Sequence, residues 1–311
     1  MIRPDYDYLE RIRRTFALEA HHRTTNILDG DYVSVYRGKS LDFDDLKEYT
    51  PGDDVRDIDW RASSRTGRTL VRRYVSDRKI SALFVLDAGA HMQADTSAGE
   101  AKDELALLTF GSLAYLLMRQ GADVAATFLT DAAGRETFSM FRSGPEHLER
   151  LLVEYGRAVC GSGGETIAAQ TARYNGLLER VQDVARRRMV IFVITDTEGI
   201  AALDERVLGH LSETNDVFLL HLEDAFYTGD HVFDTRRGRY VPGFLSRSAA
   251  LHRAELAERA QILERVGTMV RHDRMGFVTL TGQEEVVPRV MAMMNGMSRQ
   301  ERMDQWISLP Q

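Results

Sequence analysis

The sequence predicts an α/β protein built on an open, doubly wound, mostly parallel sheet flanked by helices. Two observations predict it. Short apolar runs alternate with longer amphipathic ones from residue 79 onward, as strands separated by crossover helices do. The run at 189–195 (MVIFVIT) is apolar throughout, as a strand buried on both faces must be. The first 78 residues do not share the alternation and read as an N-terminal extension.

The first strand is expected at 80–87 (ISALFVLD), followed by a helix over 101–120. Strands follow at 124–130 (VAATFLT) and, past a turn at Ala133 and Gly134, at 136–141 (ETFSMF). Pro145 opens a helix over 146–155, at the first-turn position where a missing N–H costs little. Beyond a glycine-rich loop at 161–164, a helix over 167–187 leads into the strand at 189–195. Arg186, Arg187 and Arg188 close that helix, where cations suit the helix dipole. A helix near 203–212 and a strand at 216–222 (DVFLLHL) continue the pattern. Residues 232–241 read as a small inserted β-hairpin, before a long helix over 248–272, a strand at 277–281 and a helix over 284–294. The predicted organisation is 1–78, an N-terminal helix (6–18) and a charged segment packed on the main domain; 79–297, the α/β domain; and 298–311, a tail. In such a sheet ligands bind beyond the C-terminal ends of the strands, so the site is sought there.

Composition narrows the function classes. With 311 residues, 43% hydrophobic and 28% charged, the chain can bury a sizeable core. A single cysteine, Cys160, excludes an intrachain disulfide and a cysteine-based zinc site. The N-terminus, MIRPDYDYLERIRRTF, lacks the apolar stretch of a secretory signal, so a cytoplasmic protein is expected. The best apolar run, 106–118, falls short of the roughly 18 residues of a membrane span. A net charge of −7 argues against nucleic-acid binding.

The most informative stretch is YRGKSLDF at 36–43, then EYTPGDDVRDIDW at 48–60, then ASSRTG at 62–67. Pro51 before Gly52 is the chemistry of a type II turn, and Asp53 and Asp54 can bond backbone N–H groups beyond it. Arg56, Asp57, Asp59, Arg61 and Arg65 bring opposite charges together, with Ile58 and Trp60 as apolar anchors between them. The segment is either a salt-bridged clasp or a charged recognition surface. As a clasp, it pairs Asp59 with an arginine such as Arg65 and anchors Trp60 in the core.

Glu48, Tyr49, Pro51, Gly52, Asp53, Asp54, Arg56, Ile58, Asp59, Trp60, Ser64, Arg65 and Thr66 match, one by one, the hallmark of the domain-of-unknown-function 58 family, which this chain resembles over nearly its whole length. The resemblance implies a bacterial protein with a von Willebrand factor A-like domain. It also implies association with a MoxR-type AAA+ ATPase, as an adaptor or chaperone-like partner that acts on a client protein. It makes Pro51, Gly52, Asp53, Asp54, Arg56, Asp59, Trp60 and Arg65 candidate partner-binding residues.

The resemblance also draws attention to Asp87-Ala-Gly-Ala-His91, at the end of the first sheet strand. von Willebrand A domains carry Asp-x-Ser-x-Ser there, which with a threonine and a second aspartate makes a metal-ion-dependent adhesion site. A hard divalent cation wants about six oxygen ligands. Here Gly89 and His91 stand where the serines belong, while Thr166 and Asp196 match the other two members. The site is therefore degenerate. Asp87, His91 and Asp196 suit a softer divalent ion, and the two aspartates equally suit helix or turn capping.

Enzymatic motifs are missing. There is no Gly-x-Ser-x-Gly elbow and no P-loop lysine after the Gly161–Gly164 glycines. A hydrolase or phosphatase-like enzyme using Asp87 and Asp196 is the alternative to a non-enzymatic binding protein.

Overall fold

The computed structural model describes residues 8–10, 12, 38–50, 58–78, 80–129, 135–161, 167–185, 188–230, 232–234, 239–273 and 275–297. The chain divides into two compact units, Asp31–Ile80 and the combination of Met1–Gly30 with Ser81–Gln311.

The smaller unit holds an antiparallel pair that the sequence reading missed, β1 (Gly38–Glu48) and β2 (Leu70–Arg78). Its strands are too charged to read as strands by composition. Register pairs Gly38 with Arg78 at one end and Glu48 with Leu70 at the other, with shifts between Lys39 and Asp42 and between Phe43 and Asp45. Between the strands lies α1 (Trp60–Thr66).

Asp59 Oδ1 accepts from the backbone N–H of Arg61 and Ala62, both at 3.0 Å. Asp59 is thus an N-cap, satisfying donors that the first turn leaves open. Trp60, expected in the core, is 68% exposed, because as the first helical residue it sits outside the Ile58–Val71 bridge. Gly67, at φ 69°, ends the helix in the left-handed conformation that glycine adopts without strain.

The larger unit contains the doubly wound sheet. Its six strands are β3 (Ser81–Leu86), β4 (Asp123–Leu129), β5 (Glu136–Phe138), β6 (Val190–Asp196), β7 (Asp216–Leu222) and, after the hairpin, β10 (Gly276–Leu280). They lie in the order β10-β7-β6-β3-β4-β5, all pairs parallel except the edge pair β4–β5. β5 is shorter than expected because Ser139 interrupts the ladder: its Oγ, not a carbonyl, accepts from Ala126 N–H at 2.8 Å.

The helices are α2 (Lys102–Arg119), α3 (Pro145–Gly161), α4 (Ile167–Val184), α5 (Thr197–Ala202), α6 (Glu205–Thr214), α7 (Gly243–Ser246), α8 (Ala249–Asp273) and α9 (Gln283–Met297). The helix expected near 203–212 is α6, started by Asp204 through Arg206 N–H, and the short α5 before it, capped by Asp196, was not expected. The inserted hairpin is β8 (Phe233–Asp234) with β9 (Arg239–Tyr240).

Both faces of the sheet are covered. On one, Phe84, Phe192 and Phe218 occupy one register row and stack at 4.9 and 5.1 Å between centroids, with Phe110 of α2 tilted onto Phe84. On the other, Leu83, Val85, Ile191, Val193 and Leu219 pack against Leu177, Leu208 and Val266 from α4, α6 and α8. Fully burying each such side chain contributes about 1.5–3 kcal/mol, so the central strands form the rigid base of the molecule's end surfaces. The N-terminal helical residues Tyr8 and Ile12 are buried, and Ile12 lies so close to Gly111 of α2 that a Cβ there has no room.

Candidate functional site

Numbered by chain order, the sheet strands run 3-2-1-4-5-6 from the antiparallel edge. The chain leaves β3 toward one edge and returns at β6 to build the other, so the topological switch lies between β3 and β6, where a crevice opens beyond the strand ends. Asp87 directly follows β3, Asp196 ends β6, and Asp224 lies two residues beyond β7. Three adjacent strands thus each deliver a carboxylate to one edge.

Two cations fill the gaps between them. His91, on a 3₁₀ turn (Ala90–Gln93), donates from Nε2 to Asp87 Oδ2 at 2.9 Å and lies 3.6 Å from Asp196 Oδ1. Lys102, the first residue of α2, donates from Nζ to Asp196 Oδ2 at 2.5 Å and to Asp224 Oδ1. The result is a line of alternating charge: Asp87, His91, Asp196, Lys102, Asp224. Its first four members are sealed, with Asp87 4%, His91 6%, Asp196 0% and Lys102 1% exposed.

The remaining oxygens are also engaged. Asp87 Oδ1 accepts from Gly89 N–H at 3.0 Å, and Oδ2 from the Thr195 hydroxyl at 2.6 Å. Asp196 Oδ1 caps α5 through Glu198 and Gly199 N–H, both at 3.1 Å, and Asp224 Oδ2 accepts from Thr197 N–H at 3.1 Å. The backbone after β3 is pinned by the Tyr155 hydroxyl, which donates to the Asp87 carbonyl at 2.8 Å. Gly199 is obligatory: a Cβ there meets Thr195 Oγ1 at 1.7 Å and Asp87 Oδ2 at 3.0 Å. The His91 Nδ1 atom is buried without a hydrogen-bond partner among the described residues.

Burial opposes the charges of Asp87, His91, Asp196 and Lys102, and the neighbouring opposite charges outweigh it. Burial pushes the Asp87 carboxyl up, but the His91 charge and the donated hydrogen bonds hold it below its usual range. The Asp196 carboxyl is likewise lowered against burial by Lys102 and His91. Burial disfavours the imidazolium of His91, yet Asp87 and Asp196 raise its pKa to about 10. The Lys102 ammonium, disfavoured by burial, is raised by Asp196 and Asp224. Next to this line, His221 is lowered by burial; it faces the Thr197 hydroxyl at 3.0 Å and the Thr279 hydroxyl at 3.2 Å.

Ligand atoms of Asp87, His91 and Asp196 lie within 4.8 Å of one another, so by spacing this group could hold a metal ion. The donor set fits a divalent ion poorly. Hard cations need several oxygens with free lone pairs, and here both oxygens of Asp87 and of Asp196 already accept from protein donors, His91 Nε2 is committed to Asp87, and Gly89 supplies no side chain. The gaps between carboxylates are filled by the chain's own ammonium and imidazole.

The structure brings together Asp87, His91 and Asp196, as the sequence reading grouped them. Thr166, Pro51, Gly52, Asp53, Asp54 and Arg56 lie outside the described residues. Asp59, Trp60 and Arg65 sit on or beside α1 in the smaller unit. Sequence reasoning missed Lys102, Asp224, Thr195 and Tyr155. For Lys102 the signal is weak: a lysine in the first turn stands against the helix dipole, but Asp103 and Glu104 beside it in that turn mask the need for a distant carboxylate.

Comparison with known proteins follows the same lines. The chain is 26% identical over 275 residues to "Uncharacterized protein Rv1480" of Mycobacterium tuberculosis, covering 83% of each chain. Among solved structures it is similar to the PilB minor pilin from Streptococcus sanguinis, at 11% identity and a TM-score of 0.41 over 78% of this chain and 68% of that one. It is also similar to a von Willebrand factor type A protein from Catenulispora acidiphila, at 12% identity and a TM-score of 0.36 over 72% of this chain and 43% of that one. Residues 45–225, more than half of the 311, match the family described as "Protein of unknown function DUF58". The chain belongs to the DUF58 family.

Proposed function

We propose that this protein is a non-enzymatic adaptor that offers the strand-end rim of its sheet to a MoxR-type AAA+ ATPase, in a cytoplasmic setting, and so acts on a client protein. The observation that carries this reading is a contrast at one end of the sheet: a charge line closed on itself, and an exposed aromatic rim beside it. After Asp224 the chain is held firmly, with Arg259 donating to the carbonyls of Asp224 and Ala225 at 2.7 Å and lying 4.0 Å from the Phe226 ring. Gly229 N–H then joins α7 through the Ser246 carbonyl at 2.7 Å. On this braced segment, the hairpin and α7, the side chains of Tyr227, Tyr240 and Phe244 are 52%, 65% and 78% exposed. Exposed aromatics on a rigid frame are the material of protein-binding surfaces.

The hydrolase alternative asks Asp87 or Asp196 to meet a substrate. Both are buried with their oxygens engaged, which favours the binding reading. Among the described residues no helix is long and apolar enough to cross a membrane, consistent with a partner met in solution. The test is co-purification of the full chain from its native cytoplasm: a stoichiometric AAA+ ATPase is expected, and Phe244→Asp should release it. Hydrolysis of phosphate esters by the purified chain, abolished by Asp87→Asn, would replace this reading with the enzymatic one.

A further inference from the structure

We propose that the Lys102 ammonium is a built-in replacement for the divalent cation of a metal-dependent adhesion site, making this strand-end crevice a metal-independent one. This extends the binding reading and for its functional meaning rests on it.

The carboxylates of β3, β6 and the β7 loop converge at this edge: Nζ of Lys102 stands between those of β6 and the β7 loop, within hydrogen-bonding distance of both Asp196 and Asp224, and His91 stands between those of β3 and β6. The Lys102 side chain is 1% exposed, a burial that a lysine tolerates when paired with carboxylates. The helix places it: Lys102 N–H bonds the Ala94 carbonyl at 3.0 Å, which fixes the start of α2 against the loop that carries His91.

Ligand supply follows the same logic: Lys102 Nζ takes an oxygen each of Asp196 and Asp224, and His91 Nε2 takes Asp87 Oδ2, so the chain's own nitrogens stand between the carboxylates. Gly89 and His91 fit this scheme. Serine hydroxyls at those positions would be ligands for an ion that Lys102 makes redundant, and His91 instead bridges the one pair of carboxylates that Lys102 does not reach.

The experiment uses the full chain and the metal alone. In thermal unfolding, Mg²⁺, Mn²⁺ or EDTA should leave the wild-type Tm unchanged, and Lys102→Met should lower it by about 10 °C. Lys102→Ser, which removes the ammonium and adds a hydroxyl, should gain a Tm increase on adding Mn²⁺. Should these variants fail to fold, the wild-type protein with ¹⁵N-labelled lysine decides: NMR should show one ammonium protected from solvent exchange, its signal untouched by Mn²⁺. Stoichiometric Mg²⁺ or Mn²⁺ binding by wild type that is lost in Asp196→Asn, a Lys102→Met protein of unchanged Tm, or an Mn²⁺-broadened ammonium signal would each overturn the proposal. None of these measurements involves a partner, so their failure is distinguishable from failure of the adaptor reading.

Discussion

Lys102 Nζ and Asp196 Oδ2 lie 2.5 Å apart, although 94 positions separate the two residues in the chain. The pair ties the start of α2 to the end of β6, and both side chains are out of reach of water. Removing one partner strands a buried charge, at a cost of about 3–5 kcal/mol, whereas removing both leaves no charge stranded at this contact. Lys102→Met and Asp196→Asn should therefore each destabilise strongly in urea titration, and the double variant should lose clearly less than their sum. Additive losses would show that the two side chains do not act on each other.

Stability should peak in the mildly acidic to neutral range. His91 has a folded pKa of about 10 against 6.5 when unfolded, so the folded state binds its proton more tightly. Its contribution is complete below 6.5 and is lost as pH rises through about 10, at up to about 1.4 kcal/mol per pH unit. His221 works in the opposite sense. Lowered from 6.5 by burial, it contributes above that value and loses the contribution as pH falls below it. Asp87 and Asp196, both lowered from 3.8, add a further loss at stronger acidity. Denaturation midpoints followed from pH 5 to pH 10 should show His91→Gln flattening the alkaline decline. An unaltered alkaline limb in that variant would rule out His91 as its source.

Gly199→Ala should disturb the site from outside the charge line. The added methyl overlaps Thr195 Oγ1, which donates to Asp87. Forcing such an overlap in a packed interior costs about 1–3 kcal/mol. A lowered Tm is expected, accompanied by a changed His91 ring resonance, since Asp87 must move. A Tm equal to wild type would mean that the loop yields freely.

In the smaller unit, Asp59→Ala removes a helix cap and should cost about 1 kcal/mol, seen as faster amide exchange within α1. Arg65→Ala, on an exposed last turn, should stay within about 0.5 kcal/mol of wild type. Equal effects from the two substitutions would favour the salt-bridge reading of this segment.

Phe244→Asp should weaken partner binding by roughly tenfold or more without altering Tm, because its ring is exposed and its loss exposes no core. Titration of the labelled ATPase against wild type and variant measures the ratio. Equal affinities would move the contact surface elsewhere.

The α/β domain was legible because its strands are continuous apolar runs and each ends in a recognisable residue. Residues 189–195 and 216–222 lie within a residue of the observed β6 and β7. Asp87, His91 and Asp196 could be grouped because they fall at positions that the resemblance to von Willebrand A domains marks, with the two aspartates at strand ends. Lys102 and Asp224 were not, because their meeting depends on how α2 docks against the loop after β7, and no local pattern reports that. The β1–β2 ladder escaped for a different reason: its segments are charged rather than apolar, and the pairing of two distant segments is invisible within either alone. Trp60 was assigned to a core by hydrophobicity, but its position at the helix start turned it outward.

The row of Phe84, Phe192 and Phe218 stands three to six residues before Asp87, Asp196 and Asp224, which lie at or just beyond the ends of the same three strands. Adjacent strands are about 4.8 Å apart, a pitch close to the gap that one nitrogen can span between two carboxylate oxygens. The sheet thus behaves as a comb whose teeth are charged and whose spine is aromatic. A change in the spine, such as trimming one ring, alters the spacing of teeth that it never touches. The crevice is consequently tuned by the packing beneath it, and substitutions deep in the core can reset its electrostatics while leaving every charged residue in place.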